Sequence, residues 1–514
     1  CLNQQESVRE VRFGTALVDT GFRPNADGYA FANDSSAWGS YPESACDLGQ
    51  GELARMFGQE AVCRMVGGAC TTKPIAAWWA EQANQALNGG HSDGMAATSL
   101  RFFKELDDPA AFQPGAAGAY DLELASVRGH VASYAARQLT IPLLVSKEQS
   151  RQAGPSETLA QLLAALSGPA PDPATLFLRE AGQGGHTLSP YAIEDRGAGV
   201  YWVRVYDANH PDDAGRYVAI DTGSETWSYD LGWAVWSGDA YSQSVGAVPI
   251  SQYGLAPACP WGEGAAASQV WSDGVGQLLI ANGEGQRLGY AAGQPVSEIP
   301  GAYAGTVDGG LGVEVGPVYS LPPSGTYTVT VTGTATTRAG GGSISQFGPG
   351  YAVQVDRLVV PASSSERLVL PAAGAGLRYE SDAGNEVRLG LALEGVDESY
   401  AYRIDGADVG ADEAVTLAVD RAEGYLIYDN AEASGGVYRL EMVWLTGEGT
   451  RTFVHAGVVI SATDTHYADY GSWDGSGAVT LGIDHGSDGE IDETLSLDNQ
   501  IKRIYLPLVL RDSP

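Results

Sequence analysis

Apolar residues recur at helical spacing only in the first third of the chain. In "TTKPIAAWWAEQANQAL", Ile75, Trp78, Trp79 and Leu87 share one face, with Thr72 as a cap and Pro74 in the first turn. "DGMAATSLRFFKEL" repeats the pattern with Met95, Leu100 and Phe103. "YDLELASVRGHVASYAARQL" and "SETLAQLLAALS" predict two more helices, the second opening on Ser156 and Glu157. From His186 the period shortens: "HTLSPYAIED", "GVYWVRVYD", "RYVAI" and "ETWSY" read as strands between Gly- and Asp-rich turns. A helical start followed by strands predicts an α+β domain over 21–264, after a polar tether at 1–20.

Beyond Ser268 only strand patterns remain. In "TYTVTVTG", Tyr327, Val329 and Val331 face one side and threonines the other. Such short strands, bounded by Gly, Asn, Asp and Pro, predict all-β sandwich-type modules, divided here as 268–371 and 372–514. The last segment, "IYLPLVL", is apolar on both faces despite Pro507. It would either close its own module or insert into a neighbouring molecule and build a filament.

Composition narrows the functional classes. With 63 acidic against 29 basic residues and a net charge of -34, the chain would repel phosphate backbones, so nucleic acid is not expected as a partner. Apolar content of 44% supports folded cores over 514 residues. No apolar run approaches the ~20 residues of a transmembrane helix. Cys1 resembles the lipid-bearing residue left at the start of processed bacterial lipoproteins, with a trimmed end as the alternative; the expectation is an exported cell-surface location. The remaining Cys46, Cys63, Cys70 and Cys259 suggest two disulfides, with zinc a weaker reading because no C-x-x-C occurs. Three pairings are open. Cys63 with Cys70 and Cys46 with Cys259 are expected.

Candidate chemistry begins with a hairpin. The turn "DRGAG" centres on Gly197, so paired positions would sum to about 394. That places His186 beside Asp207 and Asn209, where a carboxylate or amide orients an imidazole. Ser92 opens the "DGMAATSLRFFKEL" helix, whose N–H groups favour negative charge, though the same position suits a plain N-cap.

Taken together, "GGHSDGMA", "GGHTLSPYAIED" and "VYDANHP", in that order, are similar to the nucleophile, base and orienting segments of bacterial extracellular papain-like cysteine peptidases. The resemblance covers roughly Gly21 to Gly262. It implies a papain-like fold, a peptide or protein substrate and no required cofactor, with the nucleophile at position 92, the base at His186 and the orienter at Asp207, Asn209 being the substitute. Two departures stand out. Serine replaces the cysteine, so peptide-bond hydrolysis should be lost or very weak: a hydroxyl does not ionise in a site built for a thiolate. The oxyanion glutamine expected six residues earlier is Ala86, leaving Gln85 and Asn88 as candidates. The competing expectation is a structural or adhesive surface protein built on a dead peptidase fold.

Near the end, "DHGSDGEIDE" spaces Asp484, Asp488 and Asp492 like an incomplete calcium loop, with Leu495 where the bidentate acid belongs. An acidic β-turn is the preferred reading. The surrounding text also resembles a C-terminal β-module common on bacterial exported proteins.

Overall fold

The computed structural model describes residues 14–501, except 35–37, 39–46, 169, 312–314, 324, 335–340, 363, 372–373 and 375. Cys1, Cys46 and the terminal "IYLPLVL" strand therefore lie outside the described residues. The chain divides into two units, Cys1–Ala61 with Trp78–Cys259 and Ala304–Val318, and Val62–Ala77 with Pro260–Tyr303 and Tyr319–Pro514. Among the described residues, no helix is long and apolar enough to cross a membrane.

The first unit is α+β. Its helices include Ser92–Phe103, Leu124–Ala136, Leu143–Arg151 and Pro155–Ser167. Ser92–Phe103 is more than an amphipathic surface helix, since ten of its twelve residues are buried. Gly94 explains how it packs so closely: a Cβ there would lie 2.1 Å from the Val131 carbonyl oxygen, so glycine lets the Leu124–Ala136 helix approach. Met95 and Leu100 then join Phe22, Tyr29 and Val131 in one core cluster, each buried side chain contributing about 1.5–3 kcal/mol.

The sheet of this unit runs antiparallel through Val245–Pro249, Ala174–Glu180, Gly184–Asp195, Val200–Tyr206, Tyr217–Asp221, Thr226–Asp230 and Val235–Asp239. Thr15–Asp19 and Gly310–Leu311 also pair with Gly184–Asp195. One face is covered by Leu159, Leu162 and Leu166 from the Pro155–Ser167 helix, packed on Leu176, Val203, Ile220 and Trp227.

The second unit is all-β. A nine-stranded and an eleven-stranded sheet supply its cores. Tyr327, Val329 and Val331 are buried and Thr332 is exposed, the alternation that period-two patterning predicts. The expected division near position 372 falls inside the sheets: Ser365–Leu370 pairs with Gly376–Ser381, and Tyr351–Leu358 pairs with Asn385–Glu394. A hairpin turn and a module boundary carry the same Gly- and Pro-rich signature, so sequence alone does not separate them.

Residues 62–77 form an excursion that belongs to this β unit. The hairpin of Cys63–Val66 and Ala69–Thr72 is closed by a Cys63–Cys70 disulfide, as expected. Arg64 and Lys73 both pair with Glu394, at 2.7 and 2.8 Å. Cys259 is half-buried.

Candidate active site

Ser92 is the first residue of its helix; His91 holds the N-cap position, and its side chain makes no capping hydrogen bond. The helical ladder instead starts with the Met95 N–H on the His91 carbonyl. The Ser92 Oγ accepts a hydrogen bond from the Thr187 N–H at 3.2 Å, and the residue exposes no surface. The N-cap reading therefore does not describe this serine. It faces the strand that carries His186.

The hairpin carrying His186 has a slipped register. Asp195 pairs with Tyr201, and a bulge near Tyr191 brings Ser189 opposite Tyr206. Paired positions thus sum to 396 beside the turn, where 394 was expected, because the turn centres one residue later, on Ala198; the bulge then takes one residue back and brings the sum to 395. Asp207 still reaches the imidazole: His186 Nε2 lies 2.8 Å from Asp207 Oδ1. Asp207 also accepts from the Tyr229 hydroxyl at 2.5 Å and from the Asn209 N–H at 2.8 Å. Burial raises the Asp207 pKa, but His186, Tyr229 and the Asn209 amide outweigh it and hold the carboxyl below its ordinary value. The other imidazole nitrogen, Nδ1, is buried and makes no hydrogen bond among the described residues. Asn209 does not replace Asp207. Its side-chain oxygen accepts from Asn33 Nδ2 at 3.2 Å, while Asn33 Oδ1 accepts the His91 N–H at 2.7 Å, tying the orienting loop to the start of the Ser92 helix.

Directly behind Ser92 lies a buried charge network absent from the sequence reading. Lys147 Nζ donates to Asp93 Oδ1 at 2.7 Å, to Asp308 Oδ2 at 2.6 Å and to Gln138 Oε1 at 3.2 Å. Tyr253 and Thr187 hydroxyls also donate to Asp93, at 2.9 and 3.2 Å. Burial raises the Asp308 pKa, yet Lys147 and Arg151 outweigh it and the net shift is downward. For Lys147 burial opposes the charge, and the two carboxylates outweigh it, so its pKa is raised. The ammonium stays charged. Tyr229 carried a usable signal, since it alternates with Trp227 on the inner face of its strand; nothing in the local text marks Lys147 or Asp308.

Of the two oxyanion candidates, Asn88 lines a cavity of about 420 Å³ beside the site and Gln85 does not. Gly89, Gly90, His91, Asn209, His210 and Trp233 line it too. His91 is buried and stacked on Trp38 at 4.2 Å. Burial, aided by Arg128, pushes its pKa down to about 3, while Asp47, 3.6 Å away, is itself engaged by Arg128. Here the folded pKa lies below the unfolded value of about 6.5, so this contribution to stability is complete above that value and is lost as pH falls. Between pH 7 and pH 5 the loss should be about 2 kcal/mol. Urea unfolding at the two pH values checks this: His91→Phe, which keeps the stacking, should remove that part of the pH dependence, and an unchanged dependence would exclude His91 as its source.

The acidic segment near the C-terminus uses its carboxylates as turn acceptors. Asp484 accepts the Asp488 and Gly489 N–H groups, Asp488 accepts that of Glu490, and Asp492 accepts that of His485. Among the described residues no group of three or more His, Cys, Asp or Glu side chains is placed to hold a metal ion. Comparison with protein-family models, curated proteins and solved structures finds no match for this chain.

Proposed function

We propose that the first unit is a papain-like, peptidase-type domain whose chemistry is acyl transfer from peptide bonds, held nearly silent by serine at position 92. The observation that carries this reading is the arrangement around His186: Nε2 on Asp207 at 2.8 Å, Nδ1 without a hydrogen bond, and the Ser92 Oγ held by the neighbouring Thr187 N–H. In such a step the atom at position 92 attacks the carbonyl carbon and its proton passes to His186 Nδ1. The N–H groups opening the Ser92–Phe103 helix face the developing oxyanion, and the leaving amine takes the proton back from His186. Asp207 fixes the tautomer that leaves Nδ1 free for this exchange. A serine hydroxyl lacks the acidity that would make a stable ion pair, which would leave the site silent.

Ser92→Cys tests the reading without requiring turnover. The thiol should titrate, by thiolate absorbance, at least about one unit below the ordinary value of about 8.5, and His186→Ala in the same background should move it back up. A thiol of ordinary acidity, indifferent to His186, would remove the acyl-transfer reading. The second reading, a dead peptidase fold serving a surface or adhesive protein, is favoured by the complete burial of Ser92. The Cys63–Cys70 disulfide supports an oxidising, exported setting for either.

A further inference from the structure

Asp308–Leu311 lies in a stretch, Ala304–Val318, that groups with the first unit although the chain before and after it groups with the second. Its backbone touches both halves of the candidate site. Gly310 bridges to Gly89, three residues before Ser92, and pairs antiparallel with Gly185, the residue before His186; Leu311 pairs with Gly184. Asp308, at one end, is fully buried with its carboxylate 2.6 Å from Lys147 and 3.5 Å from Arg151. Leu311, at the other end, lines the cavity shared with Asn209, His210 and Trp233.

The two residues between admit no side chain. A Cβ on Gly309 would lie 2.6 Å from the Ala86 carbonyl oxygen, and one on Gly310 would lie 1.9 Å from that of Gly89. Gly310 also holds φ at +113°, a conformation that favours glycine. Main-chain pairing on both sides, a charged pocket at one end and, at the other, a cavity where Trp38, Leu231 and Trp233 stand among polar residues form a mode of holding an extended peptide.

We propose that Asp308–Leu311 is a built-in peptide ligand of this site, and that the site recognises extended polypeptides presenting an acidic residue, two glycines and an apolar residue in that order. The acidic side chain goes to Lys147 and Arg151, the glycines pass the slot between Ala86, Gly89 and Gly185, and the apolar side chain enters the cavity. The chain's own copy competes with any peptide in trans. That such a peptide would be a substrate, and not only a ligand, rests on the acyl-transfer reading above.

The test measures binding of a fluorescein-labelled Val-Asp-Gly-Gly-Leu-Gly peptide to the full chain by anisotropy. Gly310→Val should expel the internal segment and tighten peptide binding by about ten-fold or more, because a competitor's occupancy scales the apparent affinity. Replacing either glycine of the peptide with valine should abolish binding. Leu311→Ala, a milder change that serves if Gly310→Val does not fold, should tighten binding by about three-fold. Equal binding to the parent chain and to a folded variant, or equal binding of the valine-containing peptides, overturns the proposal. In the Ser92→Cys background, Gly310→Val should also speed alkylation of the thiol by iodoacetamide. Peptide binding alongside a thiol of ordinary acidity would support the recognition proposed here while removing the catalytic reading.

Discussion

Lys147→Met is expected to destabilise the first unit by about 3–5 kcal/mol, the usual cost of removing one partner from a buried ion network. Asp93 and Asp308 expose no surface, and both spend a carboxylate oxygen on the Lys147 ammonium at 2.7 and 2.6 Å. Without it, two carboxylates face each other in an interior where the Tyr253 and Thr187 hydroxyls, Arg151 and the charge of Arg179 give partial compensation. The penalty comes from stranded charge and not from the lost contact as such. Adding Asp93→Asn and Asp308→Asn to Lys147→Met should therefore recover a large part of the loss, since neutral groups of the same shape need less compensation. Denaturant unfolding of the three chains checks this. A loss below about 1 kcal/mol for Lys147→Met, within the range of exposed pairs, would show that the network is not the buried one described.

Asp207→Ala should cost about 3 kcal/mol or more, because two buried donors and a half-buried one lose their acceptor at once. Those donors are His186, the Tyr229 hydroxyl and the Asn209 N–H. Asp207→Asn keeps a carbonyl oxygen in place and should cost less. The Asp207 carboxyl is held below its ordinary value in the fold, so the stability it contributes is fully present above the unfolded pKa of about 3.9 and is lost as pH falls through the folded one. The parent and Asp207→Ala should accordingly differ most near neutrality and draw together in acid. Unfolding free energies measured from pH 7 down to pH 3 decide it; a constant difference over that range would mean that Asp207 acts by packing and not by charge.

Much of the site was legible because its parts are local. A helix opening on Ser92 follows from the spacing of Met95 and Leu100, and a hairpin that brings Asp207 and Asn209 towards His186 follows from two strand patterns around one turn. The division of labour between the last two was not legible. A carboxylate and an amide two residues apart offer an imidazole similar acceptors. Only the placed side chains separate them: Asp207 accepts from the His186 imidazole, while Asn209 is held by Asn33, which ties the loop to the start of the Ser92 helix.

Periodicity and turn chemistry by themselves determined the helical beginning, the change to strands and the all-β remainder, since a helix and a strand each stamp their own repeat on neighbouring residues. The Cys63–Cys70 pairing was also readable, being closed by a seven-residue separation. Only the tertiary structure decided which distant segments share a core. It assigned 62–77 to the β unit and 304–318 to the helix-and-sheet unit, and it placed Asp308 on Lys147 across 161 positions of chain. A buried charge is tolerated only where it is paired; here the partner arrives from a distant segment, and the sequence around either residue carries no mark of the other.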